Sequence, residues 1–230
     1  MAISSVVLIP WDAESPAHQE WLIKQREACG WHQEYVATKW KSEQLKGLKC
    51  IFWIGKLEDT AVTLNAVPRQ PTKESFIPIG HISLDSYSPD VEAFDLDIPS
   101  EGVFWIKTFY VDQSIQGQGI GRAAMDQVED MAVREPLLAK TLMLDTMQKD
   151  DQKREDFALD QFGAIPKVRG VVHFEIAQFT HFLQVTNEEW YARRGYQLIK
   201  TIQNHYKPVA KNGSIWDIKT VFMRKDIAVE

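Results

Sequence analysis

Hydrophobic and polar positions change period several times along the chain, and each change marks an element. The β-branched run "SSVVLIPWD" predicts a first strand. In "ESPAHQEWLIKQREACG", Ser15 stands where a cap belongs, Pro16 falls in the first turn and Gly30 stops the helix. A second helix is predicted across "HQEYVATKWKSEQLKG", where Tyr35, Val36, Trp40 and Leu45 are roughly helically spaced and Gly47 closes the segment. The period then shortens. "CIFWIGKLE" and "FIPIGHISLDSY" predict two strands on either side of a polar stretch, Asp59 to Ser75, whose prolines and threonines suit a loop.

"GVFWIKTFYV" is the longest aromatic and β-branched run and predicts a central strand. From about Gly119 the apolar residues Ile120, Ala124, Val128 and Met131 fall on one helix face, until Pro136 forbids continuation. "TLMLDTM" returns as a strand, and the right-handed strand–helix–strand crossover makes it a parallel neighbour of the central run. The region of about 148–186 begins with the charged "QKDDQKRED" and a short helical pattern. It reads as an insertion between the fifth strand and the last helix, forming either a substrate wall or a surface excursion. "TNEEWYARRGY" then shows a Thr-x-x-Glu capping box with Gly195 as terminator, and "YQLIKTIQNHY" and "WDIKTVFMRKDI" predict two closing strands.

With 230 residues, this pattern predicts one α+β domain. A net charge of −6 argues against generic affinity for nucleic acid or anionic membrane and favours cationic or neutral partners. Cys29 and Cys50 lack metal-ligand spacing, so no metal site is expected. A reducing, intracellular location follows, the cytoplasm or the nucleus, since neither a signal peptide nor a membrane-spanning stretch is visible.

Candidate chemistry concentrates in "YVDQSIQGQGIGRAAMDQVEDMA", residues 110–132, where Gly117, Gly119 and Gly121 alternate at a helix start. Glycines at alternate positions let peptide N–H groups converge on one concave space, and a helix N-terminus adds unpaired amides and a positive dipole end. That is a diphosphate cradle. A Walker loop would need Gly-Lys-Ser/Thr, whereas Gly121 is followed by Arg122 and Ala123. A dinucleotide-binding fingerprint is satisfied by Gly119, Gly121 and Ala124, with Asp145 ending the next strand; against it, "DQSIQGQ" separates the strand from the first glycine, and several strands precede it.

Residues 116–121, "QGQGIG", instead read as Gln/Arg-x-x-Gly-x-Gly after a long apolar strand, which resembles the acetyl-CoA-binding motif of the GNAT superfamily, the GCN5-related N-acetyltransferases. "NEEWYARRGYQLI" resembles that family's late Asn…Tyr…Gly-Phe/Tyr motif, and the order of elements agrees. The resemblance implies a mixed central sheet of about seven strands, splayed between the fourth and fifth and flanked by helices. It also implies acetyl transfer from acetyl-CoA directly to a small amine or peptide amine. The CoA cradle carried over comprises Phe109, Tyr110, Val111, Gln116, Gly117, Gln118, Gly119, Ile120, Gly121 and Arg122, and Tyr191 becomes the general acid. Asn187 is either the family's cofactor-contacting residue or only a helix cap.

Many relatives carry a strand glutamate as base, but "GVFWIKTFY" offers only Lys107. His81, Ser83 and Asp85 alternate on one face of the preceding strand, so His81 and Asp85 are candidate bases unless that face is merely solvated; His173 and Glu175 are further candidates. Two rivals stay open: a non-catalytic acyl-CoA-binding module, and an NAD(P)-dependent oxidoreductase. The acidic balance points to a cationic acceptor such as a polyamine, an arylalkylamine or lysine.

Overall fold

A computed structural model describes residues 6–55, 58–75, 77–162 and 185–227. Seven strands form one mixed sheet in the order β1-β2-β5-β6-β7-β9-β8: β1 (Leu8–Pro10), β2 (Lys49–Gly55), β5 (Pro78–Asp85), β6 (Val103–Val111), β7 (Thr141–Met147), β8 (Gln197–Gln203) and β9 (Lys219–Asp226). A separate hairpin pairs β3 (Thr63–Leu64) with β4 (Val67–Pro68). The α+β class expected from the sequence is the one found, with helices flanking the sheet. Contacts divide the chain into two compact units, one holding residues 1–91, 98–142 and 226–230, the other 92–97 and 143–225.

In the first unit β1, β2, β5 and β6 pair antiparallel in sequence. β2 is buried along nearly its whole length because helices cover both faces of the sheet around it. One cover is α1 (Pro16–Cys29), capped by Ser15, with Pro16 in the first turn and Gly30 in the left-handed conformation at its end. Leu22 of α1 packs with Val36, Trp40, Ile51 and Trp53 in a continuous apolar cluster. The other cover is α4 (Ile120–Val133), whose Ile120, Ala124, Met125, Val128 and Ala132 are buried. Lys140 and Thr141 donate backbone hydrogen bonds to Gly102 O at 2.8 and 3.0 Å, which sets the start of β7 beside the start of β6.

Two elements differ from expectation. The predicted second helix is broken into a 3-10 turn (Gln33–Tyr35), a π turn (Val36–Trp40) and the short α2 (Lys41–Leu45), which together bring both Val36 and Trp40 inward. The supposed loop from Asp59 to Ser75 is a pinned hairpin: Arg69 grips Asp59 bidentately at 2.7 and 2.8 Å, and Thr72 N adds a bond to the same carboxylate at 2.9 Å. A one-turn helix, α3 (Asp90–Ala93), also appears where none was expected.

In the second unit, Lys219 O accepts from Gln148 N at 2.9 Å, setting β9 antiparallel to β7, and β8 pairs antiparallel with β9. Helices α5 (Lys149–Gln152), α6 (Glu155–Phe162) and α7 (Asn187–Arg193) follow β7. Most of the proposed insertion, including His173 and Glu175, lies outside the described residues.

Candidate active site

The glycine loop is built by the strand that feeds it. Asp112 accepts from Ser114 N at 2.9 Å, capping the 3-10 turn Gln113–Ile115. The side-chain amide of Gln116 then donates to Val111 O at 2.9 Å, folding the loop back on β6. Gly117 and Gly119 follow with φ of 79° and 84°, and a Cβ built on either would meet nothing within 4 Å. The first intrahelical bond of α4 runs from Ala123 N to Gly119 O at 3.0 Å. The amides of Ile120, Gly121 and Arg122 precede it, so the helix itself does not use them, and they sit at its positive end. Open space over left-handed glycines, edged by outward amides and without an acidic side chain in the first turn of α4, fits a diphosphate. Gln118 and Arg122 are exposed beside it, while Tyr110 and Val111 are buried in β6.

Strand β6 is irregular where it approaches this loop. The register runs from His81↔Tyr110 to Ser83↔Lys107, so one residue of β5 faces two of β6, Thr108 and Phe109. This is a β-bulge, which interrupts the ladder and re-aims the backbone. Thr108 takes φ 49°. A β-branched residue in that region costs about 1–3 kcal/mol and persists only where its surroundings over-determine it.

His81, Ser83 and Asp85 do share one face of β5, yet that face is neither solvated nor open. All three are buried beneath α1 and Trp40. His81 Nδ1 lies 2.7 Å from Gln25 Oε1 and Nε2 lies 3.4 Å from Arg26 Nη1, which fits a neutral ring donating through Nδ1 and accepting at Nε2. Burial, then the Arg26 and Lys49 charges, hold its pKa well below the usual histidine value. Asp85 Oδ2 accepts from Lys49 Nζ at 2.8 Å, in a pair whose side chains are 7% and 4% exposed. Asp85 Oδ1 accepts no hydrogen bond from the described residues. Burial lowers the Lys49 pKa, with Asp85 opposing. The Trp40 ring is flanked by both cations, Arg26 at 5.3 Å and Lys49 at 5.0 Å. Lys107 bonds Asp90 at 2.8 Å and Ser88 at 3.0 Å, contacts across some seventeen to nineteen residues that leave no local signal.

In the second unit, α7 begins with the capping box predicted from the sequence: Thr186 accepts from Glu189 N, and Glu189 accepts from Thr186 N at 2.8 Å. The cap is thus Thr186, which corrects the reading of Asn187 as a helix cap; Asn187 is exposed in the first turn. Tyr191 packs edge-on against Trp190 and Tyr196 at 5.0 and 5.9 Å. Burial, followed by the Asp145 carboxylate, raises its phenol well above the ordinary tyrosine pKa, with Arg194 opposing. Asp145 accepts a hydrogen bond from Tyr206. The sequence singled out Asp145 only as the acidic end of a dinucleotide fingerprint; its contact with a tyrosine about sixty residues on leaves no local signal.

The dinucleotide reading fails on topology, because the strands before the glycine loop pair antiparallel rather than forming a doubly wound parallel sheet. Among the described residues no helix is long and apolar enough to cross a membrane, and no group of His, Cys, Asp and Glu is placed to hold a metal ion.

Comparison with known proteins agrees with this architecture. The structure is similar to Arabidopsis thaliana NAA60 in complex with a bisubstrate analogue, at 12% identity and TM-score 0.52, covering 97% of this chain and 99% of that one. It is also similar to a spermidine N-acetyltransferase SpeG chimera from Vibrio cholerae and hSSAT, at 7% identity and TM-score 0.53, covering 97% and 96%. A third similar structure is an aminoglycoside 6'-N-acetyltransferase complexed with coenzyme A, at 14% identity and TM-score 0.51, covering 97% and 98%. At such identities the likeness is one of fold. No curated protein sequence matches the chain. The profile of the Acetyltransferase (GNAT) family matches residues 33–163, a span that runs from the broken second helix through the bulged strand, the glycine loop and α4 to the end of α6, and by that match the chain belongs to the GNAT acetyltransferase family.

Proposed function

We propose that this protein transfers an acetyl group from acetyl-CoA directly to an amine, either a small amine or a peptide amine. The observation that carries the reading is the cradle: left-handed Gly117 and Gly119 open onto empty space beside the unused amides of Ile120, Gly121 and Arg122. Family membership supports acetyl transfer, and structurally similar proteins include one complexed with coenzyme A and one with a bisubstrate analogue. On this reading the main chain from Gly117 to Arg122 holds the diphosphate, the main chain of Phe109 to Val111 holds the pantetheine and the thioester oxygen, and Asn187 contributes a further contact.

Acetyl-CoA supplies the activated acyl carbon and a thiolate leaving group. Tyr191 is assigned as proton donor to that thiolate, since its phenol carries its proton at neutral pH. Both ring nitrogens of His81 are occupied, so His81 has no atom left to accept the amine's proton. Asp85 keeps Oδ1 without a partner among the described residues, but it lies on the same closed face and is bonded to Lys49, so neither residue is placed to meet an incoming amine.

Titration calorimetry with acetyl-CoA and CoA tests the cradle, and thiol release with polyamines, arylalkylamines, lysine and peptide N-termini tests the transfer. Heat with both CoA species and turnover with an amine are expected. Heat without turnover would leave only an acyl-CoA-binding module, and absence of heat would sink the assignment.

A further inference from the structure

A threonine at φ 49° inside a nine-residue strand calls for a cause, because its β-branched side chain disfavours that conformation. Lys107 is the Cα partner of Ser83, so in a regular strand Thr108 would point to the opposite face. Yet the Thr108 hydroxyl donates to Ser83 Oγ at 2.7 Å. Ser83 Oγ also accepts from Lys49 Nζ at 3.0 Å, and Lys49 is bound to Asp85 and lies over the Trp40 ring. Ser83 is fully buried, and it cannot turn away without taking one hydrogen bond from a buried ammonium.

We propose that the chain Thr108–Ser83–Lys49–Asp85 pins the β6 bulge, making Thr108 and Ser83 positioning residues for the main chain that meets the acetyl-CoA thioester. The inference rests on the acetyl-CoA reading above. Burying an ion pair and the Ser83 hydroxyl where apolar side chains would pack at similar or lower cost is weak design for stability. It is effective design for fixing one backbone conformation beside Phe109, Tyr110 and Val111. The pin acts through one hydroxyl, so its removal should loosen the bulge while leaving the glycine cradle, which lies beyond β6, intact.

The test needs no amine acceptor. Acetyl-CoA isotope-labelled at its carbonyl is bound to the full chain, and the carbonyl stretch is read by infrared difference spectroscopy; CoA affinity is measured in parallel by calorimetry. The wild-type protein should shift the bound carbonyl to lower frequency than free acetyl-CoA, as backbone N–H donors polarise it. Thr108→Val and Thr108→Gly should each lose about half of that shift or more, Thr108→Ser should retain it, and the Kd for CoA should stay within about threefold throughout. Thr108→Gly accepts a positive φ without strain, so it keeps the test intact should the valine variant not fold. A wild-type shift in the valine or glycine variant, or no shift in the wild-type protein that binds acetyl-CoA, overturns the pin alone. If the wild-type protein binds neither acetyl-CoA nor CoA, the functional reading fails and the pin falls with it.

Discussion

Gly119→Ala and Gly30→Ala make a matched pair that separates ligand binding from backbone strain. Gly119 caps the start of α4 at φ 84°, ψ −2°, and Gly30 caps the end of α1 at φ 84°, ψ 10°. At both, an added Cβ would meet no protein atom within 4 Å. Each alanine should therefore cost about 1–2 kcal/mol from the left-handed conformation alone. In a chain of this size that lowers Tm by about 2–4 °C per kcal/mol, equally for the two variants. Their effects on CoA should diverge. A methyl at Gly119 occupies the space where the diphosphate is proposed to sit. Two charge-assisted hydrogen bonds lost at about 1.5 kcal/mol each amount to about 3 kcal/mol, roughly a hundredfold in Kd. Gly30→Ala should bind CoA like the wild-type protein. Scanning fluorimetry supplies the Tm and titration calorimetry the Kd. Equal Tm losses with CoA affinities within about threefold of each other would refute the cradle, because strain would then be the only role of Gly119.

Tyr191→Phe should lower kcat by about a hundredfold while sparing CoA affinity, and the raised phenol pKa places the basic limb of the kcat profile above the ordinary tyrosine range, to be read from thiol release against pH. His18 and His81 are both buried with pKa values pushed below the usual 6.5, chiefly by desolvation. The unfolded chain takes up their protons near pH 6.5 while the folded chain does not, so stability is full above that pH and falls on acidification, by up to about 1.4 kcal/mol per pH unit for each histidine. Urea unfolding at pH 7 and pH 5 should show the loss, and His81→Gln should reduce its slope. Asp59 is held at a pKa of about 2, first by its hydrogen bond from Arg69. Its contribution is present above the ordinary carboxylate value and is lost as pH falls from about 4 to 2; Arg69→Met should remove about 2 kcal/mol at neutral pH and abolish that acid limb in the same unfolding assay.

What was legible in the sequence was what the backbone dictates locally. The glycine spacing, the apolar stripe of α4, the Ser15 and Thr186 caps and the long run of β6 each rest on residues within a turn or two of one another. The hairpin at Thr63–Pro68 was missed because its two-residue turn, Asn65–Ala66 at φ 52° and 61°, has alanine where the usual glycine would announce it, and the Arg69–Asp59 grip that pins it joins side chains ten residues apart. The burial of His81 and Asp85 was missed for a related reason. Alternation along β5 shows that they share a face, but only the tertiary arrangement puts Arg26, Lys49 and Trp40 over it. The bulge did leave a trace: Lys107 and Thr108 are consecutive polar residues inside an otherwise apolar aromatic run, a break in the period of two.

The same contrast bears on how the site divides its labour. A cradle made of main-chain amides needs only permissive residues at fixed spacing, so it tolerates drift elsewhere in the chain and stays readable. Polarising a thioester demands a backbone held to within a fraction of an ångström, and glycine, the residue that most easily adopts a bulge, is the one least able to hold it there. Threonine reverses both properties at position 108: it resists the left-handed conformation, and its hydroxyl locks that conformation once Ser83 is in reach. The ion pair of Lys49 and Asp85 then has a reason to be buried. It fixes the orientation of Ser83, which apolar replacements of equal volume would leave free to rotate. Precision at the bulge thus depends on side chains drawn from β2, β5 and β6 at once, and no single stretch of sequence announces it.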